Sequence, residues 1–179
     1  YKQFDMEIYN IEAIDVQGGS MRVFARFSTA EALRSEVVEK WLAKEQSIGL
    51  FSQDTYESYA KAVAKNRDDL LAILQDIKAA GKTVIGYGAS AKGNTLLNYY
   101  GIGLDLVSYI VDKNTLKHGL YSPGMHLLVH PVDKIQREKP DYILILAWNF
   151  ADEIMSQQAD YIASGGKFII PFPTPVVID

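Results

Sequence analysis

The chain has 179 residues, enough for one well-buried core with a small appendage. Hydrophobic residues make up 48% and charged residues 22%, and the formal net charge is −4, a globular balance that speaks against a nucleic-acid binder. Cysteine is absent, which excludes disulfides and thiolate zinc sites, and no signal-peptide pattern or apolar run near the roughly 20 residues of a membrane span occurs. A cytoplasmic location is the expectation. The first residue is Tyr1, inside what reads as a strand, so the chain reads as a piece of a longer protein.

Two apolar-rich runs, Tyr9 to Val16 and Ser20 to Phe27, flank Gln17-Gly18-Gly19 and predict a β-hairpin. Ser28-Thr-Ala-Glu31 reads as a capping box that opens a helix of about 18 residues, through Leu33, Val37, Trp41 and Leu42 to Ser47. A longer helix starts at Phe51 and Ser52. Tyr56, Tyr59, Ala60, Val63, Leu70, Leu74 and Ile77 form its apolar face, and Lys65 to Asp69 its solvated one. Gly81 stops it. The expected division is residues 1–52, a hairpin and helix, and residues 53–179, a Rossmann-like domain.

The central stretch runs from Thr83 to Asn98. Thr83 to Ile85 reads as a strand, Gly86 and Gly88 as a turn, and Ala89 to Tyr100 as a helix. Strand, glycine turn and helix form the front half of a nucleotide-binding βαβ unit. Gly86 permits the turn, and Gly88 lets backbone approach an anion without a Cβ in the way. The helix then aims unpaired N–H groups and its positive dipole end at that anion. Gly86, Gly88 and Ala91 match the G-x-G-x-x-G/A spacing. Asp112 ends the next strand, Leu106 to Val111, 24 residues after Gly88, near where a ribose-binding acid is expected.

Alternation continues beyond. Tyr121-Ser-Pro-Gly124 is a turn suited to type II geometry. Leu127 to Val129 is a third strand, and His130-Pro131 starts a helix that Pro140 ends. Tyr142 to Ala147 is a strand buried on both faces. Asn149 caps a helix from Phe150 to Ser164, Phe168 to Ile170 is a fifth strand, and Pro171, Pro173 and Pro175 make an extended tail. The fold class is α/β: a Rossmann-like three-layer sandwich around a mainly parallel sheet in the order 3-2-1-4-5, preceded by the hairpin and two helices.

Ligands of such sheets bind beyond the carboxyl ends of the strands. The binding candidates there are Gly86, Tyr87, Gly88, Ala89, Ser90, Lys92, Gly93 and Asn94 in the turn and helix start. Asp112, Lys113, Lys117 and His118 follow the second strand, and Trp148 and Asn149 the fourth. Lys92 opposes the helix dipole and suits a phosphate. Lys113, Lys117 and His118 make a basic loop able to face a diphosphate, and Trp148 could stack on a base or sugar. The spacing of His118, His126 and His130 is not that of a metal site, and no catalytic residue set is evident.

Several stretches occur together in order: Gly18-Gly-Ser-Met-Arg-Val23, Gly86-Tyr-Gly-Ala-Ser-Ala-Lys-Gly-Asn-Thr-Leu96, Val111-Asp-Lys-Asn114, Lys117-His-Gly119, Pro123-Gly124 and Pro140-Asp-Tyr-Ile-Leu-Ile-Leu-Ala-Trp-Asn149. Over nearly its whole length the chain resembles the C-terminal domain of the S-adenosylmethionine-dependent nucleotide-sugar C-methyltransferases. That resemblance implies a chain that positions a nucleotide-activated deoxy-keto-sugar of the dTDP type. Its polypeptide partners would be an upstream zinc domain and a methyltransferase domain, the latter binding S-adenosylmethionine and carrying the catalytic residues. This segment by itself would then be inactive and bind no cofactor tightly. Two other readings stay open: an NAD(P)-binding domain of an oxidoreductase, which the glycine pattern and Asp112 would suit, and a structural Rossmann-like domain whose turn binds nothing.

Overall fold

The computed structural model describes residues 1–16, 18–29 and 35–179. Gln17 of the expected hairpin turn, and Ala30, Glu31 and Leu33 of the expected helix start, lie outside the described residues. The chain forms two compact units, Tyr1–Lys61 and Ala62–Asp179.

In the first unit β1 (Met6–Ile14) and β2 (Ser20–Phe27) pair antiparallel, with a register shift between Ile8 and Asn10. Glu7 and Arg26 sit opposite each other and form an ion pair at 2.8 Å. Helix α1 (Glu36–Ser47) begins later than expected. Its N-cap is Ser35, whose hydroxyl accepts from the Val37 N–H. Ser28 does not cap it; its hydroxyl donates to the Asp5 carbonyl.

Helix α2 (Gln53–Ala79) buries Leu70, Leu74 and Ile77 at three- and four-residue spacing. Gly81 ends it at φ 70°, and the Lys82 N–H reaches back to the Ile77 carbonyl, a Schellman closure. Asn66, expected on the solvated face, is buried. Its amide donates to the Pro171 and Pro173 carbonyls at 2.9 and 2.8 Å, and its oxygen accepts from the Tyr100 hydroxyl.

The second unit carries a six-stranded sheet. Its strands are β3 (Val84–Tyr87), β4 (Ile110–Val111), β5 (Val129–His130), β6 (Tyr142–Ile145), β7 (Lys167–Ile170) and β8 (Val176–Ile178). Their order is β5-β4-β3-β6-β7-β8, parallel except for β8. The expected order of five holds. The sequence predicts an extended tail after Pro171; instead the chain turns back at the prolines and pairs antiparallel with β7 as a sixth strand. The second strand is shorter than expected, since Leu106 and Val107 fold onto the Gly103 carbonyl.

Side-chain alternation explains the continuous apolar runs. Val84, Ile110, Leu144 and Ile169 face one core with α2 and α3 (Ala91–Tyr100). Ile85, Val111, Ile143 and Phe168 face another, shared with α4 (Lys134–Glu138), α5 (Ala151–Gln157) and α6 (Ala159–Ala163). A strand wetted by neither face needs apolar residues at every position. The result is the three-layer α/β sandwich that the sequence predicts.

Two expected helix starts differ. His130 is the last residue of β5, paired with Val111, and α4 begins only at Lys134. Asn149 lies in a 3-10 turn, Trp148–Phe150, and α5 follows with Phe150 at its N-cap and no side-chain cap bond. The expected single helix is two short ones, broken at Gln158.

Candidate functional site

β3 is the strand at which the chain reverses its direction across the sheet, with β4 on one side and β6 on the other. Such a switch point leaves a crevice between diverging loops. The residues that shape it are the glycine turn and the first turn of α3.

Gly86 is not in the turn but within β3, where an added Cβ would lie 2.9 Å from Leu146 Cδ1 and 3.2 Å from Ile110 Cγ1. Gly88 makes the turn at φ 93°, and its Cβ would lie 2.8 Å from the Ala147 Cβ. Gly93, rather than Ala91, is the small residue that lets the helix close on the sheet. Its Cβ would meet the Leu146 Cβ at 2.6 Å, whereas Ala91 is exposed. Ser90 caps α3, its hydroxyl accepting from the Gly93 N–H at 3.0 Å and donating to the Leu146 carbonyl at 3.0 Å.

Asp112 is buried and heavily engaged. One carboxylate oxygen accepts from the Ala89 N–H at 2.7 Å and from the Lys117 ammonium at 3.1 Å; the other accepts from the Asn114 N–H at 2.7 Å. This is a strand-end acid that closes the glycine turn and its own loop together. Lys117 also donates to the Ala89 carbonyl at 2.9 Å. An ammonium has three donors, so one remains for a ligand. His118 is tied down through its ring Nε2, 2.7 Å from the Asp112 carbonyl.

A cleft of about 520 Å³ opens beside this cluster. Gly88, Ala89, Ser90 and Asn94 form one wall, and Tyr121, Ser122 and Pro123 the other. The second wall forms where Tyr121 bridges to Leu128 antiparallel and the Asn98 amide of α3 donates to the Pro123 carbonyl at 3.0 Å, holding the loop against that helix. Among the described residues Lys117 is the only charged side chain that lines the cleft. The Asn94 side-chain oxygen is buried there and has no partner.

Of the sequence candidates, Gly88, Ala89, Ser90, Asn94 and Lys117 line the cleft, while Tyr87, Asp112 and Lys113 line a smaller recess that Gly88 also borders. Lys92 is exposed at the second position of α3 and lines neither. Gly86 and Gly93 serve packing. Trp148 packs on the α2–α3 core with its ring 5.9 Å from Phe172, and Asn149 is exposed beside it; neither lines the cleft or the smaller recess. No helix among the described residues is long and apolar enough to cross a membrane, and no three of their acidic or histidine side chains group as metal ligands.

The profile of a family described as the C-methyltransferase C-terminal domain matches residues 15–173. The C-methyltransferase NovU of Streptomyces niveus is 34% identical over 178 residues, which are 99% of this chain and 42% of NovU. The chain thus spans under half the length of that relative.

Proposed function

The chain belongs to the family of C-methyltransferase C-terminal domains, and from that premise we propose that it seats the substrate of a sugar C-methyltransferase. The substrate is a nucleotide-activated deoxy-keto-sugar of the dTDP type. Its diphosphate lies in the cleft beside Gly88 and accepts from the remaining donor of Lys117, while Ser90 and Asn94 border it. The observation that carries this reading is the cleft at the switch point with one cation on its wall. Lysine on a flexible stem is a standard phosphate partner. Asp112 and His118 act one step back, by holding the turn and the loop that carry these groups.

The reaction needs a base next to the sugar ketone and a methyl donor. We place both in the rest of the polypeptide, as the 42% coverage of NovU allows. S-adenosylmethionine would supply the methyl group there. Residues 1–52 would form the link to that part, and the enzyme would work in the cytoplasm. The geometry at Asp112 argues against a donor or nicotinamide cofactor on this chain. The acid that would take ribose hydroxyls already accepts three protein hydrogen bonds. Orientation of a bound sugar against an external base accounts for the contribution of such a domain.

Calorimetry on the chain tests the proposal. Thymidine diphosphate should bind saturably, while S-adenosylmethionine and NADH should give no stoichiometric heat. Lys117→Ala should weaken the nucleotide by roughly tenfold to a hundredfold, the range for a hydrogen bond to a charged group. Equal affinity in parent and variant would remove the diphosphate from this cleft. Tight NADH binding would favour the oxidoreductase.

A further inference from the structure

Across the Gly88 turn from the cleft lies a second recess of about 260 Å³, walled by Tyr87, Asp112, Lys113, Ala147, Phe150 and Glu153. Tyr87 is 3% exposed, and its hydroxyl has no hydrogen-bond partner. Buried hydroxyls in native folds are nearly always paired, so an orphan at the wall of a recess needs an explanation. Packing does not supply one, because a phenylalanine ring would fill the same place in the core without an orphaned oxygen.

The chemistry of the recess is that of a ring site and not of a phosphate site. Its charges are matched, Glu153 by the Lys113 ammonium at 3.3 Å and Asp112 by the Lys117 ammonium at 3.1 Å. No surplus positive charge is left there to hold an anion. Burial, and then the charges of Asp112 and Glu153, raise the Tyr87 pKa and keep the hydroxyl a neutral donor. Phe150 is half exposed and offers a ring face, while Ala147 contributes an apolar wall. The volume lies below the ~300–1,000 Å³ of pockets for drug-sized ligands and suits one ring.

We propose that the recess is a second subsite, for an uncharged planar heterocycle of pyrimidine size whose carbonyl accepts from the Tyr87 hydroxyl while its ring lies against Phe150. The inference rests on the nucleotide reading above. The ring is the base of the nucleotide whose diphosphate faces Lys117, and the ligand crosses the backbone at Gly88, the residue that both recesses share. Base discrimination would then reside on this chain, in Tyr87 and Phe150.

The test compares thymidine diphosphate with inorganic pyrophosphate on the 179-residue chain, by calorimetry beside a thermal melt. The variants are Tyr87→Phe and Phe150→Ala. Thymidine diphosphate should bind more tightly than pyrophosphate. Tyr87→Phe should weaken the nucleotide about tenfold, the equivalent of about 1.4 kcal/mol, leave pyrophosphate unchanged, and keep or raise the melting temperature. Phe150→Ala should weaken the nucleotide and spare pyrophosphate. A lower melting temperature in Tyr87→Phe would mark the hydroxyl as structural and overturn the inference. So would unchanged nucleotide affinity in Tyr87→Phe. If pyrophosphate and nucleotide bind equally well, the base subsite falls while the diphosphate cleft stands. If neither binds, both fall.

Discussion

Gly88 shows how one residue can match a binding pattern for a different physical reason. Its φ of 93° is one that side-chain-bearing residues rarely adopt, and its missing Cβ makes room for Ala147. Backbone strain and overlap together make Gly88→Ala costly, by roughly 2–4 kcal/mol. Urea unfolding should show the midpoint fall; an unchanged midpoint would mean that the turn has slack. The spacing in the sequence marks this glycine correctly but leaves its neighbour unknown. Ala147 lies 59 residues away in the chain and meets it only because β3 and β6 pair. For the same reason Gly93 was hidden behind Ala91, which fits the pattern but faces solvent. Asp112 was legible as a strand-end acid. Its three donors, including Ala89 and Lys117, were not, because they depend on how two loops meet.

At the level of elements, the ends of β3 and β6 are tied by Asp141. Its carboxylate accepts from the Lys82 ammonium at 2.8 Å, the Thr83 N–H at 2.8 Å and the Thr83 hydroxyl at 2.9 Å. These bonds, the Lys82 one first, hold its pKa down to about 2. A carboxylate with a depressed folded-state pKa stabilises the fold fully above its ordinary value near about 4. That contribution is lost as the pH falls through the folded-state value. Asp141→Asn should therefore unfold more easily than the parent at pH 7. The difference should narrow from about pH 4 to pH 2 and vanish below, as chemical melts at each pH would show; a constant difference would contradict the pairing. Periodicity made most elements legible: the apolar runs of β6 and β7, the stripe of α2 and the alternation after Gly81. It failed where distant polar contacts decide. Three prolines read as a tail, yet Asn66 holds the carbonyls of two of them and the chain returns as β8. Ser28 fits a capping box, but its hydroxyl donates to the Asp5 carbonyl, and the N-cap of α1 is Ser35.

For the whole molecule, the family membership and the α/β sandwich agree with what motif order and strand–helix alternation imply. The loop of Tyr121, Ser122 and Pro123, which completes the cleft, was legible only as a turn. Its place against α3 depends on an isolated bridge and on the Asn98 amide bonded to the Pro123 carbonyl, neither of which leaves a periodic trace. The proposed function puts a nucleotide diphosphate between this loop and the glycine turn. Titration of the ¹⁵N-labelled chain with thymidine diphosphate, followed by amide chemical shifts, tests it most directly. Saturable shifts concentrated at Gly88–Asn94 and at Lys117–Ser122 are expected. Shifts confined to the hairpin of β1 and β2, or no shifts at saturating nucleotide, would contradict it.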